Sequence, residues 1–154
     1  MINRIAISGA YRCGKDYLAN RLVTEQGFNR LAFADVIKTQ TILLYPQRAN
    51  EVLAETKTTE ARELLCEVGL NLNANQCFTT YSVASQAAKL DKVVISDLRF
   101  QEELEYCLLN GYKIVYIGSN TDGYALPEIK SAANLHIPQE RPNIGINELL
   151  ALLQ

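Results

Sequence analysis

The residues best suited to chemistry lie close to the N-terminus, where Gly9, Gly14 and Lys15 have the spacing of a phosphate-binding loop. Glycine at the first two positions lets the backbone turn and approach a phosphate without a Cβ in the way. The loop amides and the first turn of a following helix can then point their N–H groups at the anion. Lys15 adds a compact positive charge that can follow the β- and γ-phosphates of a nucleotide. We favour this interpretation over the alternative, an ordinary strand-to-helix turn with a surface lysine.

Asp16 stands where a phosphate-binding loop usually carries Ser or Thr. A hydroxyl at this position normally touches the magnesium ion, and a carboxylate could do so directly or through a water molecule. The alternative is that Asp16 only favours the positive end of the helix dipole. Both interpretations stay open, and Asp16 is a candidate magnesium ligand. Cys13, inside the same loop, is predicted to be a small filler residue.

A second pair of polar residues, Asp97 and Arg99, follows the apolar, β-branched run 92–96. In a parallel sheet the end of this strand faces the same crevice as the loop after the first strand. An acid there can hold magnesium, and an arginine two residues later can grip a second phosphate in bidentate fashion. The alternative is that Asp97 caps the following helix and that Arg99 pairs with Glu102 or Glu103, on what is predicted to be a solvated helix face.

The composition limits the classes of protein. The chain has 154 residues, of which 48% are hydrophobic, and this predicts one domain, 1–154, with a real core. A formal net charge of −2 gives no sign of a partner that is a nucleic acid or an anionic membrane. The four cysteines have no C-x-x-C spacing, so we expect no zinc site and a reduced, cytoplasmic protein. The apolar runs are as short as strands, so no membrane span is predicted.

The elements that must position these residues alternate between strands and helices. The predicted strands are about 5–9, 29–33, 92–96, 113–117 and 135–137. The first predicted helix opens at Lys15, and the others span about 33–45, 47–56, 58–69, 77–89, 100–110 and 147–153. Segment 118–134 is polar and rich in turn residues. Because the strands are apolar without alternation, the pattern predicts an α/β fold with a parallel sheet covered on both faces.

These motifs together resemble those of the deoxynucleoside monophosphate kinases of bacteriophages, and more distantly those of other P-loop small-molecule kinases. Three stretches carry the resemblance, and a fourth is weaker. Gly14-Lys15-Asp16 looks like that family's form of the loop. Segment 33–38 is similar to its Phe-Ala-Asp-Pro-Leu-Lys, 95–103 to its Ser-Asp-Val-Arg-Phe-Pro-Asn-Glu, and 62–69, more weakly, to its Arg-x-Leu-Leu-Gln-x-Leu-Gly. In order and spacing the four stretches cover most of residues 4–117.

The resemblance implies a P-loop, nucleoside monophosphate kinase-like three-layer fold with about five parallel strands and a reduced lid. It implies an enzyme that moves the γ-phosphate of ATP to a (deoxy)nucleoside 5′-monophosphate with the help of Mg²⁺. The implied ATP-binding residues are Gly9, Ala10, Tyr11, Arg12, Cys13, Gly14, Lys15, Asp16 and Tyr17. The implied magnesium ligands are Asp16 and Asp97, and the acceptor side is lined by Asp35, Lys38, Arg62 and Arg99. The catalytic residues are then Lys15, Asp97 and Arg99, with Arg12 as a candidate.

One departure from the family concerns the lid. The family tends to have an arginine just after the fourth strand, whereas Lys130 is the only cation between positions 118 and 134 of this chain. An arginine on the transferring phosphoryl group is worth about 10³ to 10⁵ in rate. Arg12 is the most plausible substitute, with Lys130, Arg141 or a residue of a second subunit in a homodimer as alternatives. Base and sugar preference stay open.

A second hypothesis follows from the same departure. A chain without the lid arginine could be a degenerate, non-catalytic protein that binds a nucleotide and acts as a sensor or partner-binding module. Retention of Lys15, Asp16, Asp97 and Arg99 together disfavours it. A third hypothesis, a kinase for another small phosphorylated acceptor, is weaker. If the protein is encoded by a phage, the cytoplasm in which we expect it is that of the host.

Overall fold

The computed structural model describes residues 1–10, 12–73, 78–118, 126–138 and 142–154. These residues form one sheet of five strands, and every neighbouring pair is parallel. The strands are β1 (Arg4–Gly9), β2 (Asn29–Leu31), β3 (Val93–Ile95), β4 (Lys113–Ile117) and β5 (Leu135–Ile137). Their spatial order is β2-β3-β1-β4-β5. The predicted parallel sheet of about five strands is therefore confirmed.

The three central strands are buried because both of their faces are covered. Residues 5–9 of β1, all of β3 and residues 114–117 of β4 are buried. This is the setting in which a strand has a continuous apolar run instead of an alternating pattern. The edge strands β2 and β5 are shorter and partly exposed.

The described residues also form eight α-helices and one short 3-10 helix. The helices are α1 (Lys15–Gln26), α2 (Phe33–Leu44), α3 (Ala49–Leu53), α4 (Thr59–Asn73), α5 (Phe78–Ala87), α6 (Gln101–Leu109), α7 (Pro127–Ala132) and α8 (Ile146–Leu152), and the 3-10 helix is Pro46–Arg48. The predicted helix 47–56 is thus a 3-10 turn followed by α3. Helix α7 lies in segment 118–134, which was predicted to be rich in turns, and residues 119–125 of that segment lie outside the described residues.

Helices cover both faces of the sheet. The connection from β1 to β2 runs in one direction across the sheet, whereas the connections from β3 to β4 and from β4 to β5 run in the other. Since parallel crossovers are right-handed, α1 lies on one face, and α6 and α7 lie on the opposite face. Helix α8 packs against α1. The arrangement is consistent with a Rossmann-like three-layer fold, and the core on the α1 side includes Ile5, Ile7, Leu18, Leu22, Val94, Val115 and Leu149.

The chain divides into two compact units, 1–32 with 86–154, and 33–85. The first unit contains the whole sheet. In the second unit α2 packs against α4, and a Cβ added at Gly69 would lie 3.0 Å from Cδ1 of Ile37. The predicted helix 58–69 stops too early, because α4 continues to Asn73, and the glycine at its predicted end, Gly69, instead allows close packing. No helix among the described residues combines the length and the apolar character needed to cross a membrane.

Candidate functional site

The loop between β1 and α1 has the backbone conformations that its glycines predict. Gly9 has φ of 147° and Gly14 has φ of 102°, both in the region that favours glycine. Arg12 has φ of 60° and is the one non-glycine residue in the described chain with a positive φ. A non-glycine residue held there costs about 1–3 kcal/mol, and such strain tends to be found at functional sites.

The last residue of β1 lies against the end of β4. A Cβ added at Gly9 would fall well inside contact distance of the carbonyl oxygen of Ile117 and 2.7 Å from Sγ of Cys13. Cys13 itself is fully buried in the core on the α1 side, as its predicted filler role requires. The loop is therefore closely packed underneath, and only glycine fits at its first position.

Helix α1 begins directly after this loop, with Gly14 as its N-cap. Glycine has no side-chain oxygen with which to cap the amides of the first turn. The N-terminus of a helix carries a partial positive charge, and its N–H groups can bind an anion. Asp16 lies in this first turn, so its carboxylate is favourably placed toward the helix dipole.

The ammonium group of Lys15 folds back over the loop. Its Nζ donates to the carbonyl oxygen of Ala10 at 2.8 Å and to that of Gly9 at 3.2 Å. Carbonyl oxygens are weaker partners for a cation than phosphate oxygens, since hydrogen bonds between two charged groups are the stronger kind. The lysine is therefore held at the mouth of the loop by contacts that an anion can replace.

The electrostatic surroundings of Lys15 link the loop to the end of β3. Burial lowers the pKa of Lys15, and so does the positive charge of Arg99, whereas Cys13, Asp16 and Asp97 raise it. The net direction is downward, because a desolvated ammonium is less stable than a hydrated one. Charges from both predicted site elements, the loop and the segment after β3, therefore act on the Lys15 ammonium.

The segment after β3 is clamped to β1 by two hydrogen bonds. The hydroxyl of Ser8 donates to the carbonyl oxygen of Leu98 at 2.6 Å, and the Leu98 amide donates to the carbonyl of Ile7 at 3.1 Å. Asp97 is only 7% exposed. Burial of a carboxylate is costly unless it has partners, and here it lies near the Lys15 ammonium.

The sheet topology makes this edge the natural binding crevice. Strands β1 and β3 are neighbours, and the helices that follow them leave toward opposite faces of the sheet. In open α/β sheets ligands bind outside the carboxyl ends of the strands at such a switch point. The residues that follow both strands at this point are those in which the sequence predicted chemistry.

The other predicted residues of this unit are less enclosed. Asp16 is exposed and its Oδ1 lies 3.4 Å from Nη2 of Arg30 on β2, a surface pair that contributes little to stability. Arg12 is exposed, and Lys130 on α7 lies over the ring of Tyr116 at 5.8 Å. The predicted ATP-binding residue Tyr11 and the candidate cation Arg141 lie outside the described residues.

The remaining acceptor-side residues belong to the second unit, 33–85. Asp35 lies in the first turn of α2, with Lys38 Nζ 3.7 Å from its Oδ1. Arg62 is exposed on α4, as predicted. Within this unit the structure brings Asp35 and Lys38 together as a surface ion pair. Their role in binding an acceptor stays a prediction.

Comparison with protein families and curated sequences identifies no relative of this chain. No protein-family model matches this chain, and no curated protein sequence matches it. The resemblance to monophosphate kinases therefore depends on the quoted motifs alone.

The candidate site residues suit a magnesium ion that is bound mainly by water and by the phosphates of a nucleotide. No group of three or more His, Cys, Asp or Glu side chains suited to a metal occurs in the part of the chain that the structure describes. Mg²⁺ does not need such a cage, because it keeps several waters and is usually bound through one or two carboxylates and the phosphates of its nucleotide. Asp97 and Asp16, both near Lys15, would supply carboxylates of this kind.

One residue that the sequence assigned to solvent is buried beside the site. Glu103 in α6 is 6% exposed, and its Oε1 accepts hydrogen bonds from the amides of Arg99 at 2.9 Å and Phe100 at 3.0 Å. The prediction of a solvated face is therefore wrong for Glu103, although Glu102 and Glu105 are exposed. A signal existed, because a glutamate three residues after an N-cap is half of a capping box.

The buried carboxyl group of Glu103 should make the stability of the fold depend on pH. Burial, and to a lesser extent the charge of Asp97, raises its pKa from 4.5 to about 8. The folded state then holds a proton that the unfolded state releases, so stability falls as pH rises from about 4.5 to about 8. This one group can contribute up to about 1.4 kcal/mol per pH unit. Denaturant unfolding across this window should show the decline.

Two variants isolate the contribution of this group. We expect Glu103→Gln, which cannot ionise, to have a flatter dependence of unfolding free energy on pH than the wild type. Glu102→Gln changes an exposed carboxyl on the same helix and should leave the dependence as it is. Equal slopes for the wild type and Glu103→Gln would show that Glu103 is ionised throughout this range.

Proposed function

We propose that this protein is an ATP-dependent phosphotransferase that converts a (deoxy)nucleoside 5′-monophosphate to the diphosphate. The observation that carries the proposal is that Lys15 follows β1 while Asp97 and Arg99 follow its neighbour β3, with the backbone of Leu98 hydrogen-bonded to β1. A cation on a glycine loop, a buried acid and a guanidinium are the groups that phosphoryl transfer uses. They lie at the carboxyl ends of adjacent parallel strands, where such a ligand would bind.

The loop and α1 would bind the phosphates of ATP. The amides of the first helical turn would point at phosphate oxygens, and Lys15 would exchange its carbonyl partners for the β- and γ-phosphates. When bound, Mg²⁺ would neutralise charge on the transferring group, with Asp97 and Asp16 as its protein ligands. The buried Ser8–Leu98 bond would keep Asp97 in place.

The acceptor would be held by cations and would need little activation. Its phosphate is already a nucleophile, so catalysis is a matter of positioning and charge neutralisation. We assign Arg99 to the phosphate of the acceptor, and we retain Arg62, Asp35 and Lys38 of the second unit as candidate acceptor-binding residues. Arg12, strained and exposed in the loop, is our choice for the cation that replaces a lid arginine.

A nucleotide-binding sensor is the second candidate. It is favoured by the scarcity of cations after β4, where Lys130 stands alone between positions 118 and 134. Such a protein would retain binding through Lys15 and lack turnover.

The deciding experiment is an assay of ADP formation from ATP and Mg²⁺ with each common deoxynucleoside and ribonucleoside monophosphate. Turnover that depends on the acceptor, and that Lys15→Ala lacks, would establish the kinase and identify its substrate. Binding of ATP through Lys15 without turnover for any acceptor would replace the kinase with the sensor.

Arg99 provides a separate test of the acceptor side. We expect Arg99→Ala to raise the KM for the monophosphate by about 10-fold to 100-fold, the effect of losing a charged bidentate contact. The dissociation constant for ATP should change by no more than about threefold, since Lys15 and the loop hold that nucleotide. Steady-state kinetics and calorimetry give the two values.

The matched variant Arg99→Lys keeps the charge and loses the planar fork. It should recover only part of the lost affinity, because lysine is a point charge. Equal losses of affinity for ATP and monophosphate in Arg99→Ala would remove Arg99 from the acceptor side.

A further inference from the structure

The turn 97–100 carries both of the residues assigned to the end of β3, so its backbone geometry decides where they point. At its centre, the Leu98 amide donates to Ile7 at 3.1 Å, and the Leu98 carbonyl accepts from the hydroxyl of Ser8 at 2.6 Å. Both partners belong to β1. The first half of the turn is thus fixed by the strand that leads into the glycine loop.

The second half of the turn is fixed by residues outside β1, in α6 and just before α7. The Arg99 carbonyl accepts from the amide of Leu126 at 3.3 Å, and the Phe100 carbonyl accepts from the amide of Leu104 at 3.0 Å. The amides of Arg99 and Phe100 both donate to the carboxyl group of Glu103. Every backbone N–H and C=O group from Leu98 to Phe100 therefore has a hydrogen-bond partner, and the side chain of Glu103 is the partner of two of these groups.

Glu103 does more than cap its own helix. In a capping box the glutamate reaches back to the amide of the N-cap residue, which here is Phe100. The second bond, to Arg99 at 2.9 Å, lies one residue further back and holds the backbone of a residue assigned to the site. Glu103 as a residue is 6% exposed, and a carboxyl group is costly to bury without such partners. Its burial therefore favours a structural role in this turn over a place on the solvated face of α6.

We propose that Glu103 is a positioning residue, whose carboxyl group fixes the turn 97–100 so that Asp97 and Arg99 are held toward Lys15. This inference rests on the proposed function, because it assigns to Glu103 the alignment of the groups that serve phosphoryl transfer. Glu103 acts through backbone amides and touches neither nucleotide. The role needs an acceptor oxygen at the length of a glutamate side chain. Glutamine places an oxygen at the same length, whereas aspartate is shorter by one methylene and does not reach the two amides.

The test compares four variants in the ADP-formation assay, at a temperature where each is folded by circular dichroism. Glu103→Ala should lower kcat/KM for the monophosphate by about 10-fold to 100-fold, the size of effect found when a group that orients a metal ligand is lost. Glu103→Gln should stay within about threefold of the wild type, because its amide oxygen still accepts hydrogen bonds. Glu103→Asp should be impaired although it keeps a carboxyl group. Glu102→Ala is the matched control on the exposed side of α6 and should behave as wild type.

Amide hydrogen exchange measured by NMR gives a readout that does not depend on turnover. The amides of Arg99 and Phe100 should exchange faster in Glu103→Asp and Glu103→Ala than in Glu103→Gln. If Glu103→Ala does not fold, the comparison of Glu103→Asp with Glu103→Gln decides the question alone.

The outcomes separate the two proposals. An active wild type whose kinetic constants survive Glu103→Asp and Glu103→Ala overturns the positioning role and leaves the kinase intact. A wild type inactive with every acceptor overturns the proposed function, and this inference with it. Impaired kinetics with unchanged exchange at Arg99 and Phe100 also overturn the positioning role, because the effect would then not pass through the turn.

Discussion

Replacing Lys15 by alanine should abolish the rise in melting temperature that ATP and Mg²⁺ give to the wild-type protein. A ligand at 100 times its dissociation constant stabilises a fold by about 2.7 kcal/mol, or roughly 5–10 °C for a domain of this size. If the variant binds 100-fold more weakly, the same ligand concentration adds only about 0.4 kcal/mol. The ammonium donates hydrogen bonds to two loop carbonyls, where an ATP phosphate could replace them.

The same substitution should have little effect on the protein without nucleotide. Burial lowers the pKa of Lys15, so the folded state already holds its ammonium at some electrostatic cost. Lys89→Ala, at an exposed position after α5, is the matched control and should keep the full shift. A melting shift with ATP that survives Lys15→Ala would contradict the phosphate-loop assignment.

The strands could be predicted from the sequence because their burial leaves a local signal. In β3 all three residues are buried and apolar, and such a run is typical of a strand covered on both faces. The strand order β2-β3-β1-β4-β5 left no such signal. Pairing joins segments far apart in the chain, and the sequence of one strand does not specify its neighbour.

Helix ends were harder to predict where tertiary packing decides them. Gly69 has the local character of a helix stop, yet α4 continues to Asn73. The reason is found in another helix, since a Cβ at Gly69 would press on Ile37. A glycine selected for close packing cannot be distinguished from a terminating glycine without knowledge of that neighbour.

The candidate site likewise contains one feature that the sequence predicted and one that it did not. The spacing of Gly9, Gly14 and Lys15 predicted a tight loop, because few residues other than glycine adopt its backbone conformations. The burial of Glu103 was not predicted, since α6 carries glutamates that composition alone assigns to solvent. Its two bonds join it to the turn before α6, and only the fold of that turn against β1 encloses it.

Replacing Gly9 by alanine should be among the most destabilising single substitutions in the protein, with a loss of about 3–5 kcal/mol in the free energy of unfolding. Two effects add. The backbone there has φ of 147°, a conformation that residues with a Cβ rarely adopt. The added Cβ would also collide with the carbonyl oxygen of Ile117 and lie 2.7 Å from Sγ of Cys13. The backbone of β4 cannot give way cheaply, because it is paired with β1 along its length.

Gly111→Ala separates the two effects, because Gly111 has φ of 72° and no atom within 4 Å of an added Cβ. Strain alone should then cost about 1–2 kcal/mol, which urea unfolding of both variants can resolve from the larger loss at Gly9. Cys13→Ala in the Gly9→Ala background should recover part of the stability, since it removes one of the two colliding groups. Similar losses at the two glycines would mean that β1 and β4 end further apart than the structure has them, and that the loop over Gly9 is not closely packed underneath.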